Sequence, residues 1–267
     1  LALRLRGGLN RPAFEAALHQ LIGRHEAFRT TLVAVDGEPM QRIATQLEAP
    51  IEWVDLRSLG EHERIAAARS ALQQRTTVPY DLAVGPLHRI TILQLGEQDH
   101  VFFWSIHHSI GDGWSSMILI RELATCYAAL SRGEEAFLPP KAIEFADYAA
   151  WQRKVFAGPA LEPQMAFWRT ALHGLEPLPL PFDHPRRQAH DGRGSRISAT
   201  IAPQTLARIK QLAVQQGVTP FMTLLACFQL LLARYCGVTD VAVGTPIANR
   251  THIASENLVG TLVNTVV

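Results

Sequence analysis

Two β-type runs, His88 to Leu95 and His100 to His107, are separated only by Gly96-Glu97-Gln98-Asp99. A helix-period apolar run, Ser115 to Leu130, follows within one glycine-containing turn. This order reads as a hairpin whose second strand feeds a helix, and it constrains the fold more than any other segment. In the second run Phe102, Trp104, Ile106 and His108 fall on one side, and Val101, Phe103, Ser105 and His107 on the other. The period of two therefore sends the adjacent histidines to opposite faces. On the helix, Ile118, Leu119, Leu123 and Tyr127 point inward.

The connecting turn, His107-His108-Ser109-Ile110-Gly111-Asp112-Gly113-Trp114-Ser115, is where chemistry concentrates. Strand-to-helix turns with glycines bring side chains and backbone N–H groups to a cleft. An imidazole, with an ordinary pKa near 6.5, can take or steer a proton there. Three readings of these residue types stand side by side. One histidine faces a cleft and is catalytic, with Asp112 fixing the loop. Or His and Asp bind a metal, although the spacing across Gly111 is not a helical i, i+4 pair and no Cys cluster or H-E-x-x-H adds ligands. Or a core histidine is satisfied by backbone while Asp112 caps the helix.

The rest of the chain is read by the same periodicities. Ala2 to Arg6 alternates as a strand, and Asn10 and Pro12 open a helix with Phe14, Ala17, Leu18, Leu21, Ile22 and His25 on its buried face. That helix runs out into Arg24-His25-Glu26-Ala27-Phe28-Arg29-Thr30, where basic residues suit the helix dipole, so a solvated cap is favoured over function. Phe28 to Val35 and Met40 to Ile43 flank the hairpin turn Asp36-Gly37, Ile51 to Leu56 is a strand, and Glu61 to Gln74 an amphipathic helix. Helices follow over Asp147 to Phe156 and Met165 to Leu172.

From Glu176 to Gly194 the composition changes to Pro177, Pro179, Pro181 and Pro185 with Arg186-Arg187 and Gly192, which marks a linker. A strand (Ser195 to Ile201), a helix (Pro203 to Gln216), a buried helix (Pro220 to Tyr235) and a strand (Val241 to Gly244) follow it. One α/β domain with a long loop is the plain reading. The restart of a strand–helix–strand order favours two subdomains, residues 1–176 and 195–267, joined by a linker over 177–194.

Composition narrows the function classes. Twenty-five Lys and Arg against 24 Asp and Glu leave a net charge of +1, which gives no basis for a polyanion or nucleic-acid binder. Three scattered cysteines, Cys126, Cys227 and Cys236, argue for a reducing, cytoplasmic compartment rather than a disulfide scaffold. The most apolar run, Val218 to Val238, is interrupted by Pro220, Gln229, Arg234 and Gly237, so a buried helix is expected there and no membrane span. No G-x-S-x-G, Walker-type loop or Rossmann fingerprint occurs. The chain opens on a strand without Met and stops inside the apolar run Leu262 to Val267, and so reads as a fragment.

His107 to Ser115 resembles the H-H-x-x-x-D-G-[WS] core of condensation domains of nonribosomal peptide synthetases. Other segments resemble the same family in order. Arg24 to Thr31 is similar to R-H-E-x-L-R-T, with Phe28 for Leu. Val78-Pro79-Tyr80-Asp81-Leu82 and Gly85 to Arg89 resemble the stretch leading into the active-site hairpin. Phe145 to Trp151 resembles Y-x-D-[FY]-A-x-W, with Phe145 for Tyr. Pro181 to Arg186 resembles the proline-rich crossing, and Val259 to Thr265 resembles [IV]-G-x-F-V-N-T, with Leu262 for Phe. The family's first motif, S-x-A-Q-x-R, and its last two are not in the chain.

The resemblance implies an α/β, chloramphenicol-acetyltransferase-like fold, with two similar subdomains in a V and the second incomplete. It implies peptide-bond formation between thioesters carried on the phosphopantetheine arms of donor and acceptor peptidyl carrier proteins, beside an adenylation domain and with an L-configured donor. No cofactor or metal is expected on the domain itself. His108 is expected in the tunnel as base or hydrogen-bond acceptor, while the Gly113 N–H faces the developing oxyanion. His107 packs, and Asp112 pairs with Arg24 or Arg29 to hold the loop. Trp114, Ser115 and Asn264 line the tunnel, Ser115 also serving as a helix cap. A CoA-dependent acyltransferase or an epimerization domain of the same fold, or a catalytically idle carrier-binding module, are the alternatives.

Overall fold

The computed structural model describes residues 1–184, 194–195 and 197–267. Contacts divide them into two compact units, Leu1–Leu161 with Ile247–Asn264, and Glu162–Pro246 with Thr265–Val267.

The first unit is built on a four-stranded sheet of β1 (Ala2–Arg6), β4 (Ile51–Asp55), β5 (His88–Gly96) and β6 (Asp99–Ile106), in the order β1-β6-β5-β4. The hairpin β5–β6 is antiparallel, with Ile90 opposite Trp104 and Ile92 opposite Phe102. β1 adds antiparallel to β6, whereas β4 joins β5 in parallel. The parallel pairing follows from the crossover α2 (Glu61–Thr77), which carries the chain from β4 back to the start of β5.

Strand alternation then sorts the core. Ile90, Ile92, Phe102 and Trp104 bury one face against α1 (Arg11–Arg24) and α3 (Gly113–Ser131), through Phe14, Leu18, Leu21, Ile118, Leu119 and Leu123. Leu93 and Leu95, on the other face, pack under Ala68 of α2. Asn10 caps α1, its Oδ1 accepting the Ala13 N–H at 3.2 Å. A 3-10 turn, Glu26–Arg29, leads into the hairpin of β2 (Thr30–Val35) and β3 (Glu38–Ile43), so that strand starts two residues later than expected. The unit is completed by α4 (Phe145–Phe156) and by the segment Ile247–Asn264 with its short helix α8 (Ile253–Glu256).

The second unit holds most of α5 (Leu161–Ala171), with α6 (Pro203–Gln215) packed on α7 (Pro220–Cys236). The strand expected at Val241–Gly244 lies instead at Thr245–Ile247 (β7), pairing with Asn264–Val266 (β8), because the partner sets where the ladder begins. No strand occurs among the described residues of 195–201. Linker residues 177–184 have neither helix nor strand, and Pro185, Arg186, Arg187 and Gly192 lie outside the described residues.

Two expectations are corrected. The contiguous division at 177–194 is not where contacts divide, because residues 247–264 pack with the first unit. The helix expected to be buried, α7, exposes Phe221, Met222, Phe228, Leu230, Leu231 and Tyr235, and α6 is the helix packed on it. No single helix among the described residues is long and apolar enough to cross a membrane.

Candidate active site

β6 ends at Ile106, one residue before the paired histidines. The Leu87 carbonyl still accepts the His107 N–H at 2.8 Å, and a turn closes from the Ile110 N–H to the His107 carbonyl at 3.1 Å. Ile110 is buried beneath this turn. A Cβ on Gly111 would stand 3.3 Å from the Ile106 Cγ2, so a small residue suits the bend. The strand alternation used to separate the two histidines therefore stops at Ile106, and the turn separates them instead.

The two rings have different surroundings. His107 is half-buried: its Nδ1 accepts the Ser109 N–H at 3.2 Å, meets the Ser109 hydroxyl at 2.8 Å, and its ring edge packs on Tyr80. The Tyr80 hydroxyl in turn donates to Ser105 Oγ at 2.8 Å. His108 is exposed, and its imidazole has no hydrogen-bond partner among the described residues. Its backbone carbonyl accepts from the Thr261 hydroxyl.

Asp112 is the anchor of the loop. As N-cap of α3 its Oδ1 accepts the Ser115 N–H and the Ser115 hydroxyl, both at 2.8 Å. Arg250 grips the same carboxylate with both guanidinium nitrogens, at 2.9 Å to Oδ2 and 3.0 Å to Oδ1, and the Leu262 N–H adds a bond to Oδ2 at 3.1 Å. The Asp112 and Arg250 side chains are 3% and 1% exposed, so little water screens the fork. Burial alone would push the carboxyl's pKa up, yet the Arg250 fork and the Ser115 amide and hydroxyl outweigh it and hold the group below the ordinary carboxylate range.

This corrects the expected partners of Asp112. Arg24 lies against Glu122, at 3.2 Å, and donates to the Pro139 carbonyl, while Arg29 donates to the carbonyls of Ala44 and Thr45. Both arginines were singled out for their place at the end of α1, and that end faces α3 and the loop after β3 rather than the Asp112 turn. The solvated cap at His25 is also corrected: His25 is buried, 2.8 Å from Glu122 of α3. Burial lowers the His25 pKa against the pull of Glu122. Ser115 is the third residue of α3 rather than its cap. Its hydroxyl oxygen also accepts the Gly260 N–H at 3.1 Å.

Gly113 opens α3, so its N–H is one of the first-turn amides that lack an intrahelical acceptor. Trp114 is half exposed, donates Nε1–H to the Glu256 carbonyl at 2.9 Å, and lies beneath the Arg250 guanidinium, 5.5 Å from ring centroid to carbon. Asn264 opens β8 with an exposed side chain. No cluster of three or more metal-ligating side chains is present among the described residues. Arg250 was missed because it is 138 residues from its partner and carries no local signal.

A histidine just past a strand end, a helix N-terminus beside it and a buried carboxylate–arginine lock thus make up the candidate site of a mixed α/β fold. A family profile described as "Condensation domain" matches residues 1–267, and the chain belongs to that family. It is 43% identical over 265 residues to a linear gramicidin synthase of Brevibacillus parabrevis, covering 99% of this chain and 3% of that one. It is 37% identical over 265 residues to phosphinothricin tripeptide synthetase PhsC of Streptomyces viridochromogenes, covering 99% and 24%. The solved X-domain from teicoplanin biosynthesis superposes with a TM-score of 0.88 at 28% identity, over 99% of this chain and 58% of that one. The mixed α/β, condensation-domain fold class is thus the one the resemblance implied, and the chain spans only a small part of the curated relatives it matches.

Proposed function

We propose that this chain forms peptide bonds in nonribosomal peptide synthesis, joining a donor acyl thioester to the amine of an acceptor aminoacyl thioester. The family membership and the synthetase relatives support this reading. Both substrates arrive on phosphopantetheine arms of carrier proteins, with an adenylation domain loading the acceptor, in the cytoplasm, and the donor is L-configured. The acceptor nitrogen attacks the thioester carbon, the C–N bond forms, the C–S bond breaks, and the proton lost by nitrogen ends on the departing thiolate. The thioester is already activated, so no side-chain nucleophile is required. The catalytic task is to hold two tethered reactants at attack distance and to steer one proton.

The observation that carries the proposal is the exposed His108 imidazole, unpartnered among the described residues, on a turn fastened by buried groups. His108 accepts a hydrogen bond from the attacking amine and orients it. The Gly113 N–H donates to the oxyanion. His107, held by Ser109 and packed on Tyr80, supports the turn. Asp112 and Arg250 lock the turn to residues 247–264, Trp114 packs beneath that lock, and Asn264 meets the substrate. Arg24 and Arg29 hold the end of α1. His108→Ala in the full-length protein, supplied with loaded donor and acceptor carriers, is expected to lower the rate by roughly 10² to 10⁴ while the melting temperature is unchanged. Turnover near the wild-type rate would remove His108 from the reaction.

A further inference from the structure

Helix α4 makes no contact with the paired histidines in any bond described above, yet three of its rings meet the segment that locks Asp112. Phe145, Tyr148 and Trp151 recur every three residues along one face, with Phe145 stacked on Tyr148 and Tyr148 tilted against Trp151. Each ring has one counterpart on the segment Ile247–Asn264. Phe145 lies so close to Gly260 that a Cβ there would overlap the ring. Tyr148 accepts on its hydroxyl oxygen the Asn249 Nδ2–H at 3.2 Å. Trp151 meets His252 edge to face, with centroids 6.0 Å apart.

Two of these counterparts adjoin the lock. Asn249 holds φ at +54°, the left-handed region that few residues other than glycine occupy, and it immediately precedes Arg250. The left-handed turn at Asn249 sets the direction from which Arg250 reaches Asp112. Gly260 donates its N–H to Ser115 Oγ, and that hydroxyl donates to Asp112.

We infer that Tyr148 and Asn249 are positioning residues for the condensation step, with α4 buttressing the Arg250–Asp112 lock and so the turn that carries His108. This rests on the function proposed above and extends it to residues remote from the reacting atoms. Neither side chain touches substrate; each acts through Arg250.

The test removes one hydrogen bond from either side in the full-length protein. Tyr148→Phe deletes only the acceptor oxygen. Asn249→Gly deletes only the donor, because glycine retains the left-handed backbone. Each variant is expected to lower kcat about tenfold, with KM for both carriers unchanged, since a small displacement of a catalytic turn is felt in the chemical step. The double variant is expected to be no slower than Tyr148→Phe, because both single variants remove the Asn249 bond and Tyr148→Phe removes in addition only the long 3.5 Å bond from Gln152 of the same helix. Multiplying losses, an unchanged kcat, or a loss seen only in KM would each overturn the inference.

Amide exchange supplies an arm that does not need the activity. The Leu262 and Ser115 N–H groups, both donated to Asp112, are expected to exchange about tenfold faster in Tyr148→Phe at unchanged melting temperature. Unchanged exchange would overturn the inference. Should the wild-type protein form no peptide bond at all, the function fails, and the exchange arm still decides whether α4 supports the lock.

Discussion

Asp112 accepts from the Ser115 amide and hydroxyl, both Arg250 nitrogens and the Leu262 amide, which saturates a carboxylate with about four lone-pair sites. No acceptor capacity is left for a substrate proton, so its contribution is to structure. Asp112→Ala would strand the Arg250 charge in a dry site and is expected to cost roughly 3 to 5 kcal/mol, read as a fall in the urea midpoint. Asp112→Ala combined with Arg250→Met is expected to cost less than Asp112→Ala alone, because no unpaired cation remains. A fully stable but inactive Asp112→Ala protein would point instead to a carboxylate acting on the substrate. At this scale the sequence was informative where a motif is local. The H-H-x-x-x-D-G pattern singled out His107, His108 and Asp112, and the turn between strand and helix was legible from Gly111 and Gly113. Arg250 was not legible, because an ion pair across 138 residues follows from the tertiary path of the chain, and Arg24 and Arg29 were nearer candidates only in sequence.

At the scale of elements, the hairpin β5–β6 was legible because its alternation matches a sheet with one face on α1 and α3 and the other on α2. The parallel addition of β4 was not, since nothing in Ile51 to Leu56 distinguishes a parallel from an antiparallel partner. The cost of building this hairpin appears in His88, the first residue of β5. Its ring is buried between Phe28 and Trp104, and its Nδ1 accepts the Trp104 Nε1–H at 3.2 Å. Burial pushes its pKa down to about 4, with the Phe28 backbone opposing only in part. The unfolded chain therefore binds a proton near pH 6.5 that the folded protein refuses until about pH 4. Stability is complete above pH 6.5 and is lost as pH falls through that window, and the lowered His25 and His100 act in the same sense. For His88 alone the loss between pH 7 and pH 5 is about 2 kcal/mol. His88→Gln keeps an acceptor for Trp104 without a titrating ring, so its urea-derived stability is expected to fall by that much less over the same range. An equal fall in both proteins would show that His88 does not carry the pH dependence.

At the scale of the molecule, the described burial is concentrated in one unit. Every buried residue apart from Ala213 and Thr223 belongs to Leu1–Leu161 or Ile247–Asn264. The sequence suggested the opposite balance for α7, because seventeen residues from Pro220 to Cys236 with so many Leu and Phe read as a core helix. Hydrophobic periodicity reports what a helix could bury, whereas burial depends on what lies against it, and α7 has six large apolar side chains about half exposed or more beside its partner α6. Hydrophobic stabilisation scales with the apolar area removed from water, so two helices with two buried residues between them gain little beyond their own hydrogen bonds. Opening of α6 and α7 then requires less free energy than opening of the sheet. Residues 1–267 prepared alone are expected to show amide protection in β5, β6, α1 and α3 at least a hundredfold above that in α6 and α7, roughly 3 kcal/mol of opening free energy. Urea denaturation followed by Trp104, which is buried in the sheet's core, should accordingly lag behind the loss of helical signal. Coincident transitions with uniform protection would mean that the two units unfold as one, and that the sparse packing of α6 and α7 does not set their stability.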